Sequence, residues 1–163
     1  MLAGVVSDTH NNVNNIENII KIFNLEKVDV VVHTGDISKP KTLKMFSALN
    51  CPMIGVFGNN DREESGFEEV CKEFNFDIKE PPYLSLLNQK KVVIFHEPDQ
   101  IQNYLRVHKD IDLVLHGHTH RYREELIGKA LCFNPGESAG LIKGKNAVGI
   151  INLSDLKIRR IFF

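Results

Sequence analysis

The chain has 163 residues, with 20 lysines and arginines against 21 aspartates and glutamates, for a formal charge of −1. At 42% hydrophobic and 25% charged residues it matches an ordinary globular protein, and its length suffices to bury most of its apolar surface in one domain spanning 1–163. That balance shows no basic excess to advertise a nucleic-acid partner and no acidic interaction tail, although a metal-bearing cleft would not register in the sum.

The opening MLAGVVSDTH has no basic leader and no long apolar stretch, and no window approaches the ~20 apolar residues that cross a bilayer. A cytoplasmic protein without a membrane partner is expected. Cys51, Cys71 and Cys132 are odd in number and far apart, which suits reduced structural cysteines.

In chain order, residues 2–7 form an apolar run that predicts a buried strand. Residues 12–24 place Val13, Ile16, Ile19, Ile20 and Phe23 on one helical face. Residues 28–33 predict a second strand, 41–49 a helix after Pro40, 52–57 a third strand and 63–75 another helix. This alternation predicts a parallel sheet with right-handed crossovers. Strands follow at 83–87 and 91–95, a short helix at 98–106 and a strand at 111–115. Beyond 121 the segments 123–127, 129–133, 146–153 and 157–162 are short and punctuated by glycine, which predicts antiparallel pairing and a second sheet. The expected architecture is α/β, with two packed mixed β-sheets flanked by helices.

Side chains able to hold a metal fall where the expected strands end. Asp8 and His10 follow the first, Asp36 the second, and Asn59 with Asp61 the third. His96 follows the strand at 91–95, and His116, His118 and His120 follow the strand at 111–115. Ligands of open α/β sheets bind at these carboxyl ends. Extended alternation would point Asp8 and His10 one way, and His118 and His120 likewise. Gly35, Gly58 and Gly117 each precede a donor and permit close backbone approach. Carboxylate, amide and imidazole without thiolate suit Mn²⁺, Fe²⁺, Co²⁺, Ni²⁺ or Zn²⁺, and seven donors suit two ions sharing a carboxylate.

Asp8-Thr9-His10, Gly35-Asp36, Gly58-Asn59-Asn60-Asp61, His96 and Gly117-His118-Thr119-His120 resemble, in order, the motifs of the calcineurin-like metallophosphoesterases. The short chain most resembles their small archaeal and bacterial YfcE-type branch. The resemblance implies that Asp8, His10 and His120 hold one ion, that Asn59, His96 and His118 hold the other, and that Asp36 bridges them. It implies two divalent ions, with Mn²⁺ or Ni²⁺ expected first. The implied activity is a dinuclear phosphodiesterase in which a metal-bridging hydroxide attacks phosphorus in line. A phosphomonoesterase, or a metal-binding scaffold for protein–protein contact, is the alternative.

Two departures bear on chemistry. Many members carry a histidine where this chain has Asn60, and an amide cannot act as a general acid near neutral pH. Phosphodiesterase members of the small branch also lack this histidine, so the resemblance implies diesters. Glu97 stands where many members have glycine, and it would either repel anionic substrate or orient a ligand. Asp61 is expected to accept a hydrogen bond from a ligand such as His10 or from loop backbone. His33 is expected in the core or behind the site, His116 off the metals, Asn11 and Asn12 at a helix cap, and His108, Arg121 and Arg123 in solvent. The expected substrate is a small phosphodiester, with nucleic acid only as a substrate, and the terminal IRRIFF would lie in the core or in a dimer contact.

Overall fold

The computed structural model describes residues 1–62 and 64–163, so the start of the helix expected over 63–75 lies outside the described residues. In chain order the elements are β1 (Leu2–Val6), α1 (Val13–Glu26), β2 (Val30–His33), α2 (Pro40–Met45), β3 (Met53–Val56), α3 (Phe67–Phe74) and β4 (Asp77–Lys79). They continue as β5 (Tyr83–Leu87), β6 (Lys90–Ile94), α4 (Ile101–Val107), β7 (Leu113–Leu115), β8 (Arg123–Ile127), β9 (Ala130–Asn134), β10 (Ala147–Asn152) and β11 (Lys157–Phe162). A single 3₁₀ turn, Phe46–Ala48, extends α2.

The first sheet runs β11-β10-β1-β2-β3-β4 and the second β5-β6-β7-β9-β8. Strands β1 to β4 are mutually parallel, as are β6, β7 and β9. Both sheets are therefore mixed, as expected. One expectation is corrected: β10 and β11 do not join the second sheet but pair antiparallel on the far side of β1. The reason lies in their burial. Ala147 to Ile151 are covered on both faces, and only a position between β1 and β11, under a helix and against the second sheet, covers both. Strand β4 is the element absent from the expected series, a three-residue charged segment without periodicity.

Alternation along the strands separates three apolar layers. Val6 and Val31 face outward with Ile16, Ile19, Ile20 and Phe23 of α1, Leu43 of α2, Phe46 and Phe67. Val5, Val30, Val32 and Val56 face the second sheet and meet Val92, Ile94, Leu113, Leu115 and Phe133. On the far side Val93, Val114 and Cys132 pack under Ile101 and Leu105 of α4. The layers are helices, sheet, sheet, helix. Helix α1 begins where the Asn12 side chain accepts from the Asn15 amide at 3.1 Å, and it ends at Lys27 in the left-handed region. In the terminal strand Ile158 and Ile161 pack into the core while Phe162 stays exposed. All three cysteines are free, and no helix among the described residues is long and apolar enough to cross a membrane.

Candidate metal centre

The loops after β1, β2, β3, β6 and β7 converge at one end of the two sheets. Asp8, His10 and His120 bring one donor atom each to within 4.8 Å of one another, and so do Asp36, His96 and His118. In the first cluster His120 Nε2 lies 3.3 Å from His10 Nε2 and 3.6 Å from Asp8 Oδ1. In the second, His96 Nε2 lies 3.3 Å from His118 Nδ1 and 3.4 Å from Asp36 Oδ2. The amide oxygen of Asn59 is 3.0 Å from His96 Nε2 and 3.2 Å from His118 Nδ1. Asp36 Oδ2 is also 3.6 Å from His10 Nε2, so this carboxylate touches both clusters.

The route to this convergence differs from the extended alternation expected from sequence. Asp8, His10, Asp36, His118 and His120 have φ of 52°, 38°, 59°, 66° and 55°, all left-handed. Each donor is aimed by a tight turn just past a strand, a conformation that costs non-glycine residues roughly 1–3 kcal/mol. Two glycines make the turns possible by absence of a side chain. A Cβ at Gly58 would collide with the Asp36 carboxylate and backbone, and one at Gly117 with Ser7 Oγ and Asp8 Oδ2.

Hydrogen bonds behind the histidines decide which nitrogen faces inward. His96 Nδ1 donates to the Thr34 carbonyl at 2.9 Å, and His120 Nδ1 to Glu137 Oε2 at 3.0 Å. Both partners only accept, so each neutral imidazole presents the lone pair of Nε2 to the cleft. The lone pair of His96 then faces the Asn59 oxygen and the Asp36 carboxylate, acceptor against acceptor. Positive charge satisfies such an arrangement, whether a proton on His96 or a metal ion, and the donor set suits a divalent transition metal in each cluster. The residues fit the group.

The charges agree. Burial alone would raise the Asp36 carboxyl, but hydrogen bonds from His96 and from the Asn60 backbone hold it well below the usual carboxylate range. Burial opposes the His96 imidazolium, yet the hydrogen bond and charge of Asp36 outweigh it and raise its pKa. For Asp8 burial wins and its carboxyl is raised, against the Ser7 hydroxyl and the charges of His96 and His120. The centre draws positive charge from whatever source supplies it.

Around the donors, Asn60 grips Asp36 twice, through its backbone N–H to Oδ1 at 2.9 Å and its side-chain amide to Oδ2 at 2.7 Å. Asp61 accepts from the backbone N–H groups of Asp36 at 2.9 Å, Ser38 at 2.6 Å and Gly58 at 2.7 Å. Of the two partners expected for Asp61, the structure places it on loop backbone and not on His10, whose Nδ1 meets Ser38 Oγ at 3.2 Å. Asp61 ties the β2 and β3 loops together, and burial raises its carboxyl despite those donors. His33 is buried, accepts the Gly35 N–H on Nδ1 at 3.1 Å and meets Thr9 Oγ1 with Nε2 at 3.2 Å. His116 points away from both clusters, with Nδ1 on the Gly117 carbonyl side and Arg123 at 3.4 Å from Nε2. Arg123 is bound to Glu125 at 2.5 Å and so is not a free cation, while Arg121 is exposed. His108 stacks on Tyr104 at 4.1 Å between ring centroids.

Two supporting residues escaped the sequence reading. Glu137, 2% exposed, holds His120 with one oxygen and the Leu141 and Ile142 backbone N–H groups with the other. Asn134, fully buried, donates to the Gly117 carbonyl at 3.0 Å and to Thr119 Oγ1 at 3.2 Å, and accepts the Gly136 N–H at 2.8 Å. The available signal was their place in Asn134-Pro135-Gly136-Glu137, polar residues at the end of an apolar strand.

A helix–sheet–sheet–helix sandwich whose strand ends bring together two histidine–carboxylate clusters sharing an aspartate is the scaffold of a metal-dependent phosphoesterase. The family model described as the calcineurin-like phosphoesterase superfamily domain matches residues 1–156, and the chain belongs to that superfamily. A phosphodiesterase of Methanocaldococcus jannaschii is 33% identical over 163 residues, covering 99% of this chain and 98% of that protein. A solved archaeal phosphodiesterase superposes with a TM-score of 0.88 at 32% identity, covering 100% of both chains. The YfcE phosphoesterase of E. coli shares the fold, with a TM-score of 0.68 at 21% identity over 99% of this chain and 98% of that one.

Proposed function

We propose that this chain is a dinuclear metal-dependent phosphodiesterase acting on small phosphodiesters, with Mn²⁺ or Ni²⁺ as its ions. The observation that carries the reading is the pair of acceptor-lined clusters meeting at Asp36, whose Oδ2 lies 3.6 Å from His10 Nε2 and 3.4 Å from His96 Nε2. Asp8, His10 and His120 would hold one ion, Asn59, His96 and His118 the other, and Asp36 would serve both. Bound there, such ions supply charge neutralisation for the phosphoryl oxygens and acidify water for attack on phosphorus.

The chain's own residues prepare that reaction. Asn60 fixes the orientation of Asp36 by two hydrogen bonds, and Asp61 fixes the spacing of the two loops that carry Asp36 and Asn59. Thr34 and Glu137 set the tautomers of His96 and His120. Hydrolysis adds water across one P–O ester bond and releases an alcohol and a monoester. Asn60 has no ionisable proton to give the departing alkoxide, so the site favours leaving groups that need little help. Its full-length similarity to proteins named phosphodiesterases supports the diester over the monoester. A net charge of −1 gives no basic excess for a long nucleic-acid track, and a small diester in the cytoplasm is the substrate of this reading.

The test is the metal-reconstituted protein assayed side by side on bis(p-nitrophenyl) phosphate and p-nitrophenyl phosphate with added Mn²⁺ or Ni²⁺. Metal-dependent turnover of the diester with little of the monoester is expected. Faster monoester turnover would reverse the assignment, and stoichiometric metal binding without any hydrolysis would make the chain a metal-binding scaffold.

A further inference from the structure

His96 has two surroundings. Its Nε2 edge faces Asp36 and Asn59, while another part of the residue walls a separate cavity of about 210 Å³. That cavity is lined by Arg62, Pro81, Phe95, Glu97, Asp99 and Gln100 in addition to His96. Its volume lies below the ~300 Å³ at which drug-sized pockets begin, leaving room for one sugar-sized group. Because His96 belongs both to the second cluster and to this wall, the cavity adjoins the metal centre.

The lining carries two carboxylates, Glu97 and Asp99, against one cation, Arg62. Arg62 is already engaged by Glu80 at 3.2 Å. Glu97 and Asp99 are exposed carboxylates that, among the described residues, take part in no hydrogen bond or ion pair. Glu97 does not orient His96, whose outer nitrogen is held by the Thr34 carbonyl. The Glu97 carboxylate would repel an anionic group in the cavity. Two unpaired carboxylates accept hydrogen bonds and cannot donate them, and the Gln100 amide adds one donor group. Half-buried Pro81 offers an apolar surface for the carbon face of a sugar.

We propose that this cavity receives one of the two alcohol groups of the diester, and that Glu97 and Asp99 select there for an uncharged, hydroxyl-bearing group and against one carrying a second phosphate. The inference rests on the phosphodiesterase reading above. Its physical basis is rejection as much as attraction: a phosphate beside two carboxylates raises the energy of the wrong complex, while a neutral sugar meets acceptors for its hydroxyls.

The experiment compares two diesters on the metal-loaded protein. One is the p-nitrophenyl ester of thymidine monophosphate, and the other carries an additional phosphate on the free sugar hydroxyl. The wild type is expected to prefer the first by about tenfold in kcat/KM, the discrimination typical of an introduced like-charge contact at a partly solvated site. Most of it should lie in KM and fade at high salt. In the Glu97→Gln/Asp99→Asn double variant the ratio should fall towards one, chiefly through a lower KM for the phosphorylated diester. A wild-type ratio near one, or a ratio that the double variant leaves intact, overturns the proposal. Failure of the diesterase reading has a different signature, since the wild type would then hydrolyse neither nucleotide diester nor bis(p-nitrophenyl) phosphate.

Discussion

Replacing Glu137 by glutamine tests whether a residue that touches no substrate governs one half of the metal centre. Its Oε2 accepts from His120 Nδ1 at 3.0 Å in a site 2% exposed, so the bond is shielded from water and charge-assisted. It fixes the Nε2 lone pair of His120 towards Asp8 and His10. Loss of such a support lowers metal affinity by about 10- to 100-fold, or about 1.4–2.7 kcal/mol. The other oxygen holds the N–H groups of Leu141 and Ile142, two exposed residues of a surface loop. The loss should therefore concentrate on the cluster of Asp8, His10 and His120. Calorimetric titration of the apo protein with Mn²⁺ should resolve one weakened site and one unchanged, in Glu137→Gln and more strongly in Glu137→Ala. Two wild-type affinities in both variants would refute the argument, and equal weakening of both sites would point to general loosening of the fold.

Other substitutions probe separate links. Asp36→Asn should weaken ion binding at both clusters together and abolish metal-dependent turnover, because Asp36 Oδ2 faces His10 and His96 alike; titration showing one intact site would remove its bridging role. His33 is buried as the neutral ring, its pKa lowered by burial from 6.5 to about 3, with Asp36, His96 and His10 as the charged neighbours. Its folded pKa is depressed, so its contribution is present above pH 6.5 and is lost as pH falls towards 3, at up to about 1.4 kcal/mol per pH unit. Urea unfolding of the apo protein between pH 7 and 5 should accordingly be less pH-dependent in His33→Gln than in the wild type, and identical slopes would contradict it. Phe23→Ala empties a fully buried position between α1 and the first sheet and should cost about 3–5 kcal/mol in urea unfolding; a change below 1 kcal/mol would mean that the layer is not packed as described.

The donor positions were legible in the sequence because strand ends are legible: an apolar run that stops at Asp8, Asp36 or His96 marks both the element and the place where its carboxyl end opens. The means of aiming them was not. Left-handed φ at His10 or His118 leaves no periodic trace, and the extended alternation invoked in its place brought together residues that the structure gathers by a different geometry. The partners of Asp61 were open for a similar reason, since backbone N–H groups carry no residue identity. Glu137 meets His120 only because the chain turns back after β9, a long-range consequence of topology. That topology was itself misjudged for β10 and β11: a short apolar strand signals burial, but which sheet buries it depends on the free edge of β1.

Five donors in left-handed turns, with the buried carboxylates of Asp8 and Asp36 close enough for the charge of Asp36 to raise Asp8, form a locally unfavourable arrangement. Its neighbours over-determine it. Asp61 clamps two loops, Asn60 clamps Asp36, Asn134 clamps the loop of His118 and His120, and each clamp is anchored on strands whose other faces lie in continuous apolar layers. The apolar layers stabilise the fold by burial, and the clamps convert that stability into a fixed set of acceptors lacking only positive charge. A cation entering the centre relieves repulsion already built in, and need not first assemble its own ligands. That is how a near-neutral chain comes to carry donor clusters suited to divalent ions, and why its site follows from the positions of strand ends more than from its overall composition.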